Sequence, residues 1–317
     1  MLVMEQFLIK SDEISRFGEY PGSRPVDRLM RNGIVILDKW PGPTSRDVSS
    51  QVRKLLGIKK AAHAGTLDPA VSGVLPMLLE NACKVMPALQ RQDKEYVGIM
   101  KLHRDVDDEA LRRAVAKYTG EISQTPPVRS AVARRERKRT IYFFSIIERD
   151  SRDILFKVGC EAGTYVRSLC HAIGKEVGGA HMAELRRTRA GRFDEGRAVR
   201  MQDLADAYAN WRESGDEKIR EFIMPVEEAV AHLKKIIVKD SAVFSISQGS
   251  PLYAQGISRI EKGVLPGELV AIMTLRGELA ALGKSVMSAE EAMDKKGIAA
   301  KTDRVIIGHG IYKKPGS

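Results

Sequence analysis

The chain has 317 residues, 43% of them hydrophobic and 6% aromatic, a composition typical of one large globular domain with a smaller one. No apolar run approaches the length that spans a bilayer, and the first residues lack a secretory signal pattern, so we expect an intracellular, cytoplasmic protein. The three cysteines, Cys83, Cys160 and Cys170, form no CxxC pair, which argues against a zinc site or a disulfide framework.

Basic residues outnumber acidic ones, 52 Lys and Arg against 41 Asp and Glu, for a formal net charge of +11. Such an excess favours polyanionic partners, because neutralising phosphates releases counterions and strengthens association. Many basic proteins bind no nucleic acid, so the net charge by itself leaves this function open. Whether the chain binds nucleic acid therefore depends on how the positive charge is distributed along it.

The first 32 residues are polar and predict irregular structure. The apolar run from Gly33 to Lys39 then predicts a strand. Thr44 or Ser45 is placed to cap a helix, and Gly57 is placed to end it. A strand and a helix therefore precede the first distinctive motif.

That motif, Ala62 to Leu75 (AHAGTLDPAVSGVL), places a single aspartate, Asp68, in a loop. Gly65 can adopt backbone angles that other residues avoid, and Pro69 restrains the backbone of Asp68. The apolar residues 74–79 predict buried structure directly behind the loop. The motif predicts either a carboxylate held rigidly for chemistry or an ordinary turn in which the Asp68 side chain caps its own backbone.

The middle of the chain alternates in a way typical of strands. Lys94 to Leu102, with Tyr96 near its start, and Thr140 to Ile147 are predicted strands, and Asp107 to Tyr118 is a predicted helix. The most basic segment, Arg129 to Arg139 (RSAVARRERKR), lies between a Pro-Pro break and the second of these strands. A single charged helix face has a similar composition, but this position favours a mobile cationic loop.

A further alternating segment, Ile154 to Cys160, predicts a strand that turns through residues 161–167 (EAGTYVR) into a helix. Arg167 therefore lies in the first turn of a helix, where the helix dipole disfavours a cation unless an anion is nearby. This placement predicts an anionic partner for Arg167.

The last third of the chain changes in character. Residues 202–231 are polar with a helical pattern and predict a connector. After it, short strands with Gly and Pro turns predict a small β-rich barrel of about 80 residues. Its predicted elements are a strand over 236–239, a helix over 240–248, a hairpin of 269–275 with 278–287, and a last strand over 305–308.

Four segments in this order resemble one known family. AHAGTLDPAVSGVLP, KEYVG, GTYVRSL and AHMAELRRTRAG are similar to motifs of the tRNA pseudouridine synthase B family. The block PPVRSAVARRERKRTIY and the C-terminal barrel resemble its archaeal and eukaryotic branch, the dyskerin-type synthases of H/ACA ribonucleoproteins. The resemblance implies an α+β fold, with a catalytic domain of a mixed or antiparallel sheet flanked by helices and a small β-barrel PUA domain.

The resemblance also implies roles for individual residues. Asp68 would be the catalytic carboxylate, and Arg167 would pair with it. Tyr96 would stack on the target base and is a candidate base for removing its C5 proton. Leu185 would form the apolar floor of the pocket, and His63 would help to hold the flipped-out nucleotide. Residues 124–136 would close over RNA, and the basic residues of this RNA-binding loop would be Arg129, Arg134, Arg135, Arg137, Lys138 and Arg139.

The implied domains are an N-terminal extension (1–32) that packs on the PUA domain, a catalytic domain (33–230) and a PUA domain (231–317). The PUA domain would bind the ACA-bearing end of a guide RNA. The implied partners are guide RNA, target rRNA or tRNA, and small zinc-ribbon, small β-barrel and kink-turn-binding accessory proteins. The implied isomerisation needs no cofactor and no metal, and the chain has no Rossmann or P-loop fingerprint.

Three functions stay open at this point. The first is an RNA-guided uridine isomerase in a ribonucleoprotein, and the second is a guide-independent synthase acting on the T-loop uridine of tRNA. The third is an RNA-binding scaffold without catalysis, against which Asp68, Tyr96 and Arg167 argue. The predicted barrel and the cationic segment favour the first function over the second.

Overall fold

The computed structural model describes residues 6–126, 133, 135–308 and 310–312. Over these ranges no helix combines the length and the apolar character needed to cross a bilayer. The α-helices of the described chain are α1 (Val26–Arg31), α2 (Ser45–Leu55), α3 (Met86–Gln90), α4 (Asp108–Lys117), α5 (Val166–Glu176), α6 (Met201–Ser214), α7 (Asp240–Ser247) and α8 (Ala289–Asp294).

Strands form the two sheets around which these helices pack. They are β1 (Phe7–Ile9), β2 (Gly33–Lys39), β3 (Ala61–His63), β4 (Ser72–Leu79), β5 (Lys94–Leu102), β6 (Gly120–Gln124), β7 (Arg137–Asp150), β8 (Asp153–Cys160), β9 (Ala180–Ala190), β10 (Phe193–Asp194), β11 (Met224–Pro225), β12 (Lys235–Val238), β13 (Leu252–Tyr253), β14 (Ile257–Glu261), β15 (Leu269–Met273), β16 (Leu279–Ser285) and β17 (Ile298–Val305).

The larger sheet has the strand order β11-β2-β4-β9-β5-β8-β7-β6, with β3 beside β4 and β10 beside β9. Neighbouring strands run antiparallel except β4 and β9, which pair in parallel at Ser72 and Gly73. Helices α2, α5 and α6 contact this sheet. The predicted mixed sheet flanked by helices is confirmed.

The smaller sheet has the order β1-β14-β12-β15-β16-β17-β13. Its strands come from the C-terminal part of the chain except β1, which pairs with β14 through Phe7 opposite Glu261. The N-terminal segment therefore completes one edge of the C-terminal sheet. Together the two sheets and their helices confirm the α+β fold class.

Local sequence explains where several elements begin. Thr44 forms a capping box with Asp47 at the start of α2, in which the Thr44 side chain accepts from Asp47 N and the Asp47 carboxylate accepts from Thr44 N. The Asp107 side chain accepts from Ala110 N and caps α4. These polar side chains satisfy backbone N–H groups that a helix start leaves unpaired.

Two buried apolar clusters connect the layers. One packs helices α2, α4 and α5 against the larger sheet through residues such as Val48, Leu111 and Leu169. The other contains Leu78 of the larger sheet and Leu282 of the smaller one. The second cluster gives the two sheets a common core.

Most of the predicted elements are confirmed. The strands over 33–39 and 94–102 have the predicted bounds, and the helix predicted over 107–118 is α4. The hairpin predicted near Arg276 is the antiparallel pair β15 and β16. These elements have clear local periodicity and turn residues, which do not depend on distant contacts.

Three predictions were wrong. The segment 1–32 contains β1 and α1. The connector 202–231 is α-helical only to Ser214 and continues with two short 3-10 helices, Glu217–Glu221 and Val226–Val230. The last strand is β17, ending at Val305, rather than 305–308. Its sequence IAAKTDRV has weak local strand character, and pairing with β16 determines its conformation.

Part of the predicted cationic loop is also wrong. Arg137, Lys138 and Arg139 begin β7 and pair in register with β6 of the larger sheet, Arg137 opposite Gln124. Lys138 Nζ lies 2.8 Å from Glu121 Oε1 across this pair. The backbone pairing holds these three cations on a strand.

Candidate active site

The Asp68 loop (residues 64–71) connects β3 to β4, two strands that pair with each other. Within it Val71 N donates to Asp68 O at 3.0 Å and closes a turn at Pro69. Gly65 has a φ of +105°, the left-handed region that favours glycine, as the sequence predicted. The loop is therefore a defined turn that leads into a buried strand.

Lys39, the last residue of β2, is fully buried and binds the loop through its ammonium group. Its Nζ donates to the carbonyl oxygens of Asp68, Pro69 and Val71 at 3.4, 3.0 and 2.9 Å. Burial lowers the pKa of Lys39, and the charge of Asp68 acts in the opposite direction. The ammonium group both fixes the loop and places positive charge behind Asp68.

Two further buried side chains hold the loop. Ser45 Oγ accepts from Leu67 N at 2.9 Å and donates to Leu67 O at 3.0 Å. Arg187 of β9 donates through Nε to Val74 O at 2.7 Å and through Nη2 to Gly65 O at 3.0 Å. Arg187 is only 1% exposed. The loop is thus anchored to α2 and to two strands of the larger sheet.

The Asp68 carboxylate pairs with Arg167. Oδ2 of Asp68 accepts from Nη2 of Arg167 at 2.7 Å, and the two side chains are 54% and 61% exposed. Arg167 is the second residue of α5, so the anion that the sequence predicted at this helix start is Asp68. In the described chain the carboxylate bonds to Arg167 and to no backbone N–H of its own turn, so the self-capping alternative is wrong.

Tyr96 lies on β5, opposite Arg187 of β9. Its side chain is buried, and burial raises the pKa of the phenol, whereas the charge and hydrogen bond of Arg187 act in the opposite direction. The negative charge of Asp68 also raises this pKa, which places the phenol within electrostatic reach of the carboxylate. The phenol is therefore protonated at neutral pH.

His63 and Leu185 lie on strands beside the loop. His63 contacts Ser49 Oγ through Nδ1 at 3.1 Å and Thr66 Oγ1 through Nε2 at 3.3 Å. Burial lowers the pKa of His63, and nearby arginines add to this shift, so the imidazole is neutral at pH 7. Leu185 of β9 is 9% exposed and lies opposite Gly98 of β5. Gly98 is two residues after Tyr96 on the same strand.

The structure describes only some of the predicted RNA-binding residues. Arg129 and Arg134 fall outside the described residues, and Arg135 is exposed. Lys138 and Arg139 on β7 each form an ion pair with a carboxylate, at N···O distances of 2.8 and 3.2 Å. Part of the positive charge here is therefore offset by neighbouring acids.

The sequence interpretation missed the buried cations that hold the loop. Lys39 follows Leu37 at a two-residue spacing, and Arg187 follows Leu185 in the same way. Side chains two apart on a strand share a face. The sequence feature that could have identified these residues was therefore a cation on the same face as a buried leucine. The described residues contain no group of three or more His, Cys, Asp or Glu side chains placed to hold a metal ion.

Three known families match successive segments of the chain. The family described as "TruB family pseudouridylate synthase (N terminal domain)" matches residues 53–166. The "tRNA pseudouridylate synthase B C-terminal domain" matches residues 167–231. The PUA domain family matches residues 234–306, which include most of the smaller sheet. The fold and these matches define a pseudouridine synthase, an isomerase, with a PUA domain.

Relatives and solved structures cover nearly the whole chain. The chain is 49% identical to the "Probable tRNA pseudouridine synthase B" of Methanopyrus kandleri, over 94% of this chain and 89% of that protein. Its counterpart in Pyrococcus abyssi is 47% identical, over 98% of this chain and 96% of that protein. The chain therefore belongs to the tRNA pseudouridine synthase B family, and its match to archaeal members confirms the branch that the motifs indicated.

Two solved structures are closely similar. One is a chain of "a Cbf5-Nop10-Gar1 Complex", with 46% identity, a TM-score of 0.91, and coverage of 97% of this chain and 96% of that one. The other is a chain of an "H/ACA RNP bound to a substrate RNA containing 2'-deoxyuridine", with 44% identity, a TM-score of 0.90, and coverage of 97% and 96%. The chain thus has the same fold as proteins of these two complexes.

Proposed function

We propose that this chain converts uridine to pseudouridine in rRNA or tRNA under the direction of an H/ACA guide RNA, with Asp68 as the catalytic carboxylate. One observation supports this assignment above the others. The Asp68 carboxylate is half exposed, lies 2.7 Å from the Arg167 guanidinium, and sits on a loop held by buried side chains. A carboxylate that is accessible and fixed in position suits attack on a nucleotide.

The reaction needs little beyond a carboxylate and a shaped pocket. The C1′–N1 glycosidic bond breaks, the uracil ring turns, and C5 bonds to C1′ with loss of the C5 proton. Asp68 either attacks C1′ as a nucleophile or removes the 2′ proton so that a glycal forms. In both routes the hydrogen bond from Arg167 holds the carboxylate in a fixed orientation.

The neighbouring residues support base flipping. The target uridine must leave its stack at a cost of a few kcal/mol, which an aromatic side chain offsets in part. In the proposed complex the Tyr96 ring stacks on the base, Leu185 forms an apolar floor and neutral His63 holds the flipped-out nucleotide. Because the Tyr96 phenol is protonated at neutral pH, it becomes a base for the C5 proton only after it transfers its own proton.

The proposed partners follow from the solved structures that the chain resembles. Those structures contain Nop10 and Gar1 in one case and a substrate RNA in the other. We extend partners of this kind to this chain, with residues 33–230 as the catalytic domain and 231–317 as the PUA domain that binds guide RNA. Residues 1–32 are proposed as an extension that packs on the PUA domain, and pairing of β1 with β14 supports this.

A guide-independent tRNA synthase is the second candidate. The relatives from Methanopyrus kandleri and Pyrococcus abyssi both have names that refer to tRNA. The same loop and pocket would serve a T-loop uridine, so the site by itself does not separate the two candidates. The difference lies in what presents the uridine to Asp68.

The test is to supply both substrates to the full chain and to map pseudouridine at single-nucleotide resolution. An unmodified tRNA transcript and a guide–target RNA pair are each incubated with the chain, with and without Nop10-type and Gar1-type proteins. We expect modification of the guided target, greater with the partner proteins present. Modification of tRNA alone would support the second candidate.

The control is a guide RNA whose target-pairing nucleotides are scrambled, which should abolish modification of the guided target. Modification that persists with the scrambled guide would contradict guided activity. No pseudouridine on either substrate, despite bound RNA, would contradict both enzymatic functions and favour a scaffold.

A further inference from the structure

Buried charge around the Asp68 loop is all of one sign. Lys39, Lys94 and Arg187 are 0%, 6% and 1% exposed, and all three lie on strands of the larger sheet. Among the described residues, the only fully buried acidic side chain is Glu278. It lies in the C-terminal domain, where its carboxylate accepts from Tyr312 Oη at 2.7 Å. Buried cations are costly unless paired, so three of them around one loop call for an explanation.

Lys94 is the cation without a place in the function proposed above. It is the first residue of β5, two residues before Tyr96, so both side chains share one face of the strand. A Cβ atom built on Gly65 would lie 3.7 Å from Lys94 Cε and 3.5 Å from Arg187 Nη1. Lys94 and Arg187 therefore lie side by side against the backbone of the Asp68 loop.

The groups that face Lys94 leave its charge largely uncompensated. Its Nζ donates to the carbonyl of Gln92, a neutral acceptor. Burial lowers the pKa of Lys94 to about 8, and the charge of Arg187 adds to this, whereas Asp93 and Cys160 act in the opposite direction. Asp93 in turn accepts a hydrogen bond from Tyr142 Oη at 2.9 Å. Keeping Lys94 charged in the folded protein therefore costs free energy.

The proposed reaction needs positive potential at this place. In the nucleophilic route the Asp68 oxygen bonds to C1′ while the C1′–N1 bond breaks, and N1 keeps the electron pair. In the glycal route Asp68 takes the 2′ proton, the C–H pair forms the C1′=C2′ bond, and N1 again keeps its pair. In both routes one negative charge leaves the Asp68 carboxylate and spreads over N1, O2 and O4 of uracil.

We propose that the buried ammonium of Lys94, together with Arg187, provides a fixed positive potential beneath the Asp68 loop that stabilises the negative charge on the departing uracil. The inference rests on the function proposed above. Lys94 is a positioning residue in this role, because it acts through space and through Arg187 rather than by touching the base. Preorganised charges act strongly in a water-poor site because they need no reorganisation during the reaction.

The test compares the pH profile of the wild-type chain with those of Lys94→Met and Lys94→Arg. The probe is the substrate that wild type modifies, either the tRNA transcript or the guide–target pair, labelled with tritium at uridine C5. Tritium release in a single turnover measures the reaction between pH 6 and 9.5. RNA affinity and thermal unfolding are measured for each variant.

Lys94→Met should react about 10-fold to 100-fold more slowly than wild type at pH 7, with RNA affinity unchanged. It should also unfold at a higher temperature, because it removes a buried charge that the fold must desolvate. Wild type should slow as the pH rises through about 8, where Lys94 loses its proton. Lys94→Arg should stay active with no such decline, because a guanidinium does not titrate in this range.

The matched control is Lys101→Met, at the exposed end of the same strand, where the lysine pairs with Asp153. It should react at the wild-type rate. A folded Lys94→Met with the wild-type rate, or a wild-type profile that is flat through pH 8, would overturn the proposal. If Lys94→Met fails to fold, the wild-type and Lys94→Arg profiles still decide, because equal declines in both would exclude Lys94 as the titrating group.

Failure of this inference and failure of the proposed function give different results. If wild type releases no tritium from either RNA, the isomerase assignment itself fails. If wild type is active and Lys94→Met matches it, the isomerase assignment stands and only the role of Lys94 is rejected.

Discussion

The ion pair between Asp68 and Arg167 contributes little to folding. Both side chains are more than half exposed, and exposed ion pairs contribute about 0–1 kcal/mol to stability. The turn that carries Asp68 is held through backbone carbonyl and N–H groups, which do not involve the carboxylate. The pair therefore adds little to stability, which is consistent with the catalytic role proposed for Asp68.

Asp68→Asn should abolish pseudouridine formation while the melting temperature and the RNA affinity stay close to wild type. The amide keeps the shape of the side chain but is neither a nucleophile nor a base. Pseudouridine mapping after long incubation measures the activity. Asp105→Asn, which alters an 80% exposed carboxylate paired with Arg152, is the control and should be fully active. Measurable turnover by Asp68→Asn would remove Asp68 from the catalytic role.

At the scale of elements, the Asp68 loop is positioned by contacts from four directions. Lys39 at the end of β2, Ser45 at the start of α2 and Arg187 on β9 bond to its backbone, and Arg167 on α5 bonds to its one carboxylate. Each contact comes from a different helix or strand. The loop therefore depends on the packing of the whole catalytic domain.

Ser45→Ala should destabilise the protein by about 1–3 kcal/mol, because it leaves the buried N–H and C=O of Leu67 without their partner. It should also lower the reaction rate, since Leu67 directly precedes Asp68. Chemical denaturation and single-turnover kinetics measure the two effects. Ser214→Ala, at the exposed end of α6, is the matched control and should change stability by less than about 0.5 kcal/mol. Equal stability of the two variants would show that the Ser45 contacts do not hold the loop.

At the scale of the whole molecule, a largely buried ion pair beside the smaller sheet adds to the common core of the two sheets. Arg24 donates through Nη1 and Nη2 to Glu227 at 2.8 Å each, and the two side chains are only 6% and 12% exposed. Glu227 Oε1 also accepts from Leu279 N of the smaller sheet at 2.8 Å. One carboxylate thus connects the N-terminal segment, the connector and the C-terminal sheet.

Arg24→Met should destabilise the protein by about 3–5 kcal/mol, because it leaves the Glu227 carboxylate buried without its cation. The double variant Arg24→Met/Glu227→Gln should recover much of this loss, since the remaining side chain is neutral. Thermal and chemical unfolding measure both. Arg28→Met, which removes a 54% exposed guanidinium from the same helix region, should have little effect. A double variant no more stable than Arg24→Met would contradict this account.

RNA affinity should fall steeply with salt, because a chain with a formal charge of +11 binds RNA largely through phosphates. The logarithm of the association constant is expected to decrease linearly with the logarithm of salt concentration. Filter binding of the tRNA transcript between low and physiological salt measures the slope. A flat response would show that phosphate contacts are not the main source of affinity.

Local patterns were sufficient for much of the fold and for part of the site. The alternation of Lys94 to Leu102, the helical pattern of Asp107 to Tyr118 and the glycine and proline around Asp68 all correspond to elements in the structure. The place of Arg167 in a first helical turn was also readable from the sequence. These signals are local, because side-chain periodicity and turn residues reflect the conformation of a few neighbouring residues.

Tertiary structure alone decided what surrounds Asp68. Lys39, Lys94 and Arg187 lie far apart in the chain and meet only because β2, β5 and β9 belong to one sheet. Strand pairing also places Arg137 on β7 rather than in the expected loop, and pairs β17 with β16. The choice of which strands become neighbours depends on distant backbone hydrogen bonds and shared burial, and a local pattern contains neither.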